Sequence, residues 1–163
     1  QYGTTQFVND AASAGVDGLI MVDLPPEEDD ELCDPARTAG LHWIRLVTPT
    51  TNKDRLSDVL ANSSGFVYYV SIAGITGTQS AGAASIEKAV HQIKTKSDLP
   101  VAVGFGIKTR EQVKEIGNIA EGVVVGSVIV NEIEQNLDAN GQPKAGLVES
   151  VISLVRSLAT DSI

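Results

Sequence analysis

Five short apolar runs alternate with amphipathic segments, and this limits the chain to a repeated strand–helix architecture. The runs are Gly18–Val22, His42–Val47, Phe66–Val70, Pro100–Gly104 and Gly122–Val125. They are rich in Val, Ile and Leu without strict polar alternation, the pattern of parallel strands covered on both faces. Their starts fall 22 to 34 residues apart, a natural length for a strand–helix unit.

The segments between them carry helix signals. Glu27–Ala39 follows Pro25-Pro26 and opens with a run of acids, which suits the positive end of a helix dipole. Asn52–Asn62 places Leu56, Val59 and Leu60 on one face, and Ala83–Lys96 spaces Ile86, Ala89, Val90 and Ile93 helically. Thr109–Ile116 starts with Thr109 as an N-cap, with Glu111 and Gln112 just inside. Ala145–Leu158 carries Val148, Val151, Ile152 and Val155. Tyr2–Ala14 reads as the tail of a loop and then a helix leading into the first strand, and Asp138–Pro143 as a surface loop. Residues 1–163 read as a single domain.

Bulk properties exclude several classes. With a net charge of −9, a nucleic-acid partner would have to bind against the protein's own field. No apolar run approaches the roughly 18 residues of a membrane span, and no signal peptide is visible. Cys33 is the sole cysteine, so no internal disulfide can form. These properties lead us to expect a cytoplasmic protein, or one in a plastid stroma. The acidic run Glu27–Glu31 reads as a solvated helix start, with no metal expected. His42 reads as a strand start, His91 as a helix surface, Trp43 as packing and Cys33 as a small filler.

Two of the runs end in glycine where a helix should begin, in Val101–Ile107 and Gly122–Ser127. Glycine there lets backbone N–H groups approach an anion, and the helix start adds positive potential. Consecutive units ending this way suggest one phosphate held between neighbouring loops, as in the last two loops of many (β/α)8 barrels. Such a barrel needs about 250 residues, so the expectation is a partial barrel of five units with about three strands upstream of Gln1. A doubly wound five-stranded sheet of the flavodoxin kind also suits the length.

Val22-Asp-Leu-Pro-Pro-Glu-Glu28, Leu46-Val-Thr-Pro-Thr50, Tyr69-Val-Ser-Ile-Ala-Gly-Ile-Thr-Gly77, Gly104-Phe-Gly-Ile107 and Val125-Gly-Ser127 occur in this order, each at a strand end. Together they closely resemble the tryptophan synthase alpha chain family, from about Phe7 to Leu158. The resemblance covers the C-terminal three-fifths of that family, with the five strands standing as the fourth to eighth of a TIM barrel.

The resemblance implies a lyase of tryptophan biosynthesis that cleaves indole-3-glycerol phosphate, by a retro-aldol step, into indole and glyceraldehyde 3-phosphate. It implies no cofactor on this chain, and as partner a pyridoxal-phosphate-dependent beta chain in an alpha2beta2 assembly. The phosphate would lie at Gly77, Phe105, Gly106, Gly126 and Ser127. The indole would lie among Ile20, Val22, Val47, Tyr68, Thr76 and Val124, with Phe105 also in reach. Thr76 would meet an aspartate as the loop from about Gly77 to Ala84 closes. That aspartate and an acid–base glutamate lie upstream in the family. The resemblance therefore assigns no catalytic residue here and implies a chain inactive alone. Asp23 would face the beta chain. Two other readings are a different phosphate-binding barrel enzyme and a non-catalytic partner of a beta chain.

Overall fold

A computed structural model describes residues 2–71 and 79–159. Helix α1 (Thr4–Ser13) leads into β1 (Gly18–Met21), and a 3-10 turn (Pro26–Glu28) runs into α2 (Asp29–Thr38). There follow β2 (His42–Val47), α3 (Lys53–Ala61), β3 (Val67–Val70) and α4 (Gln79–Lys94). Next come β4 (Val101–Gly104), α5 (Arg110–Gly117), β5 (Gly122–Val124), α6 (Ser127–Gln135) and α7 (Leu147–Leu158). The expected strands agree with these to within one residue at each end.

Side chains set the helix starts. Asn52 caps α3 by accepting a hydrogen bond from the Arg55 backbone N–H at 2.7 Å. Thr109 and Gln112 form a complete capping box on α5, so the expected cap is present. The expected helix Glu27–Ala39 is instead a 3-10 turn followed by α2. Helix α6, given no span of its own in the sequence reading, follows β5 directly.

Among the described residues all four strand pairings are parallel, in the order β1-β2-β3-β4-β5. A doubly wound sheet reverses its strand order at a switch point. The unbroken order therefore rules out the flavodoxin-like alternative and matches part of a (β/α)8 wall.

The core lies on one face of this sheet. Val47, Val67, Tyr69, Val101 and Val103 pack with Leu56 and Leu60 of α3, Ile86, Val90 and Ile93 of α4, and Ile116 of α5. Trp43 packs with Val8 of α1 and with Cys33 and Ala36 of α2. Burying each large aliphatic side chain here contributes about 1.5–3 kcal/mol.

Strand alternation sends Ile20, Val22, Tyr68, Ala102 and Val124 to the opposite face. Neither core cluster includes them, and Ile20 and Val22 are 50% and 69% exposed. Coverage on both faces is thus not present among the described residues. The apolar second face corresponds to a barrel interior.

On α7 the packing face also differs from the expected stripe. Val148, Ile152 and Val155 are exposed, while Leu147, Val151, Leu154 and Leu158 turn inward. The helix is apolar on more than one side, so helical spacing alone did not decide which side packs.

Candidate functional site

The carboxyl ends of β4 and β5 carry the two glycine loops. The pairing Gly104↔Val124 sets these strand ends side by side, so the loops are neighbours. Beyond β4, Phe105 and Gly106 both have positive φ, 90° and 78°. Among the described residues Phe105 is the one non-glycine in that region, a strained conformation for a residue with a Cβ.

Ser71 holds this loop in place. It is buried at the end of β3, and its N–H donates to the Gly104 carbonyl at 2.9 Å. Its hydroxyl is placed to donate to the carbonyls of Gly104 at 3.0 Å and Phe105 at 3.3 Å. Sequence reasoning missed Ser71. A hydroxyl at the close of the apolar run Val67–Val70 was the available signal.

The two helix starts differ. At α5, Gln112 Oε1 accepts from the N–H groups of Lys108 at 2.8 Å and Thr109 at 3.1 Å. Thr109 Oγ1 accepts in turn from the Gln112 N–H at 3.3 Å. These donors are occupied by the protein itself. At α6, Gly126 is the N-cap and no side chain among the described residues caps the helix, with Gly126 and Ser127 exposed. This start can offer N–H groups and positive potential to an anion.

Tyr68 reaches across the open face toward these loops. A Cβ at Gly104 would stand 2.7 Å from Tyr68 Cζ and 3.0 Å from Val124 Cβ, so Tyr68, Gly104 and Val124 form one contact layer. Burial raises the Tyr68 phenol above its ordinary pKa, keeping it a neutral hydrogen-bonding group. Phe105, 66% exposed, flanks this layer in sequence beyond Gly104.

The structure therefore sets Tyr68 and Val124 against Gly104, and Phe105–Gly106 and Gly126–Ser127 follow in the chain from these two paired strand ends. Ile20 and Val22 share the open face at β1, with Ile20 paired to Ile44. Val47 does not join them. It faces the helix layer and packs with Leu56 and Val59, because Trp43 and Arg45 commit odd-numbered positions of β2 to that side. Thr76 and Gly77 lie outside the described residues.

Asp23 is exposed in the loop after β1, beside a cavity of about 370 Å³. Val22, Leu24, Pro25, Arg45 and Arg55 also line that cavity. Below the loop lies a buried polar cluster that the sequence reading did not foresee. Arg45 pairs with Asp29, donates to the Leu24 carbonyl at 2.6 Å, and lies 5.2 Å from the Trp43 ring centroid. Asp29 is therefore no solvated member of the acidic run: it is 5% exposed. The signal was a charged residue inside the apolar run His42–Val47. Trp43 and Cys33 are fully buried, as packing residues would be. His42 and His91 are exposed. Among the described residues no helix is long and apolar enough to cross a membrane.

The family described as tryptophan synthase alpha chain matches residues 1–158. A tryptophan synthase subunit alpha from Campylobacter jejuni is 32% identical, with a TM-score of 0.84 over 97% of this chain and 60% of its own length. A tryptophan synthase alpha chain from Legionella pneumophila is 38% identical, with a TM-score of 0.79 over 97% of this chain and 56% of its own. A tryptophan synthase structure from Mycobacterium tuberculosis is 32% identical, with a TM-score of 0.80 over 96% and 56%. This chain thus spans 56–60% of the length of the solved chains it matches here.

Proposed function

Because the chain belongs to the tryptophan synthase alpha chain family, we propose that it forms the substrate-holding side of a lyase acting on indole-3-glycerol phosphate. In this reading the phosphate sits between the loops after β4 and β5. Backbone N–H groups of Phe105, Gly106 and Gly126 and the hydroxyl of Ser127 receive it, with Gly77 completing the site. A chain of net charge −9 gains nothing from its overall field in binding a phosphate, so local N–H groups and the α6 dipole must supply the attraction.

The indole lies over Tyr68 and Val124, with Ile20, Val22 and Thr76 bounding the slot. Val47 has no part in it. The observation that carries the reading is the adjacency of the Phe105–Gly106 loop to the uncapped start of α6, with Tyr68 packed across Gly104 beside both.

Retro-aldol cleavage breaks the bond between indole C3 and the adjacent carbon of the glycerol phosphate. The hydroxyl on that carbon loses its proton as the carbonyl forms, and C3 gains one. A carboxyl group must lie within hydrogen-bond reach of those protons. We assign that role to none of the residues on this chain, and take the acids to come from strands outside residues 1–163. The partner in this reading is a tryptophan synthase beta chain in an alpha2beta2 assembly, with Asp23 toward the contact.

Titration with indole-3-glycerol phosphate, followed by calorimetry, tests the site. Binding should be competed by inorganic phosphate and weakened at least about tenfold by Ser127→Asp, which sets a like charge at the α6 start. Equal binding by wild type and S127D would overturn the phosphate assignment, and release of indole by this chain alone would overturn the assignment of the acids.

A further inference from the structure

The cluster around Arg45 does more than fill space. Arg45 is 3% exposed on β2, with its neighbours in the strand apolar. One Nη donates to the Leu24 carbonyl at 2.6 Å, and the other pairs with one Asp29 carboxylate oxygen. The second Asp29 oxygen accepts from Asn62 Nδ2 at 2.9 Å, and Asn62 Oδ1 accepts from Arg37 at 3.3 Å. Arg45 thus ties β2 to the loop after β1 and to the start of α2, and Asp29 carries the link on to the residue after α3.

The loop is otherwise held by Leu24, packed against the Trp43 cluster, and by an exposed Arg55–Glu27 contact at 3.5 Å. Pro25 and Pro26 have no N–H to donate, and the Glu28 N–H to Pro25 carbonyl bond at 3.0 Å is a local turn. A buried ion pair is a weak source of net stability, since an apolar pair of similar volume often serves as well. What an apolar pair cannot reproduce is a donor aimed at the Leu24 carbonyl.

We propose that Arg45 is a positioning residue, fixing the loop Asp23–Glu28 through Leu24 and Asp29 so that Asp23 is presented to the partner subunit. This rests on the reading of the partner as a beta chain. Asp23 itself is exposed, whereas Arg45 is buried beneath the loop.

The test replaces the pair by apolar residues, Arg45→Met with Asp29→Leu. Hydrogen exchange of the full chain should show the Glu28 and Asp30 amides exchanging about tenfold faster. Sheet amides such as Val101 and Val103 should be unchanged, and beta-chain affinity should fall about tenfold, matching Asp23→Asn. Arg45→Lys retains the charge toward Asp29 but lacks the planar fork, and should restore part of both losses. If the double variant does not fold, Arg45→Lys alone carries the test, with an intermediate loss expected in both measurements.

Wild-type exchange rates in the loop of these variants would overturn the role of Arg45. A wild-type chain that binds no beta chain would overturn the partner reading, and with it the partner half of this proposal, while the exchange result stands separately.

Discussion

The phenol ring of Tyr68 occupies the space a side chain at Gly104 would need. A Cβ on residue 104 would come within 2.7 Å of Tyr68 Cζ and 3.0 Å of Val124 Cβ. Glycine is required here by close approach across β3, β4 and β5, at the layer from which the Phe105–Gly106 loop departs.

Gly104→Ala should destabilise the chain by about 1–3 kcal/mol, the usual cost of overpacking. Tyr68→Leu removes the obstructing phenol, so the double variant should lose less than the sum of the two single losses. Urea midpoints for the four proteins measure this. Strict additivity would mean that Tyr68 is not what excludes a side chain at 104.

Ser71→Ala removes the hydroxyl bonds to the Gly104 and Phe105 carbonyls and leaves the backbone bond between residues 71 and 104 in place. The stability cost should be about 0.5–1.5 kcal/mol. The larger effect should be local, as weaker phosphate binding and faster exchange in the residue 105–107 loop. Phe105→Gly separates strain from recognition. It relieves the φ of 90° while removing an exposed ring. Stability should change by less than about 1 kcal/mol, with a clear loss of affinity for an indole ligand.

Glu121 should contribute to the acid limb of stability. Its carboxyl pKa is lowered first by the Lys94 ammonium at 2.6 Å and then by the Val101 N–H at 2.8 Å. A carboxylate with a depressed folded pKa stabilises the fold above its unfolded value near 4.5, and that contribution is lost as pH falls through the folded value. The site is half exposed, so solvent screening holds the effect to under about 1 kcal/mol. Glu121→Gln should therefore flatten the decline below about pH 4.5 and lower stability slightly at pH 7. Identical acid limbs in the two proteins would contradict this.

Cys33 should be chemically silent in the folded chain. It is fully buried on α2, and burial raises its thiol above the ordinary pKa, which disfavours the reactive thiolate. A disulfide reagent should label it at a rate set by unfolding, accelerating with urea in step with the loss of helix signal. Rapid labelling in native buffer would show that α2 opens locally.

Much of the scaffold was legible because it depends on local terms. Strand positions follow from runs of branched apolar residues, and the α3 and α5 starts from Asn52 and Thr109. The facing of individual side chains was not legible in the same way. Val47 reads as a pocket residue from its place at a strand end, yet it shares its face with Trp43 and Arg45 and belongs to the helix layer. Asp29 reads as one acid among several, yet it is the acid within reach of Arg45. On α7, two apolar stripes are available and spacing cannot choose between them.

The sequence by itself determined the alternation of strands and helices, the glycine-ended loops after β4 and β5, and the family likeness carried by the motifs at strand ends. These are properties of short stretches of chain, where backbone propensity and steric limits act between near neighbours. Tertiary structure alone decided the sequential strand order, the face on which each strand residue lies, and the pairing of Arg45 with Asp29. Those outcomes depend on register and close approach between segments 16 or more residues apart, and they exist only once the sheet has assembled.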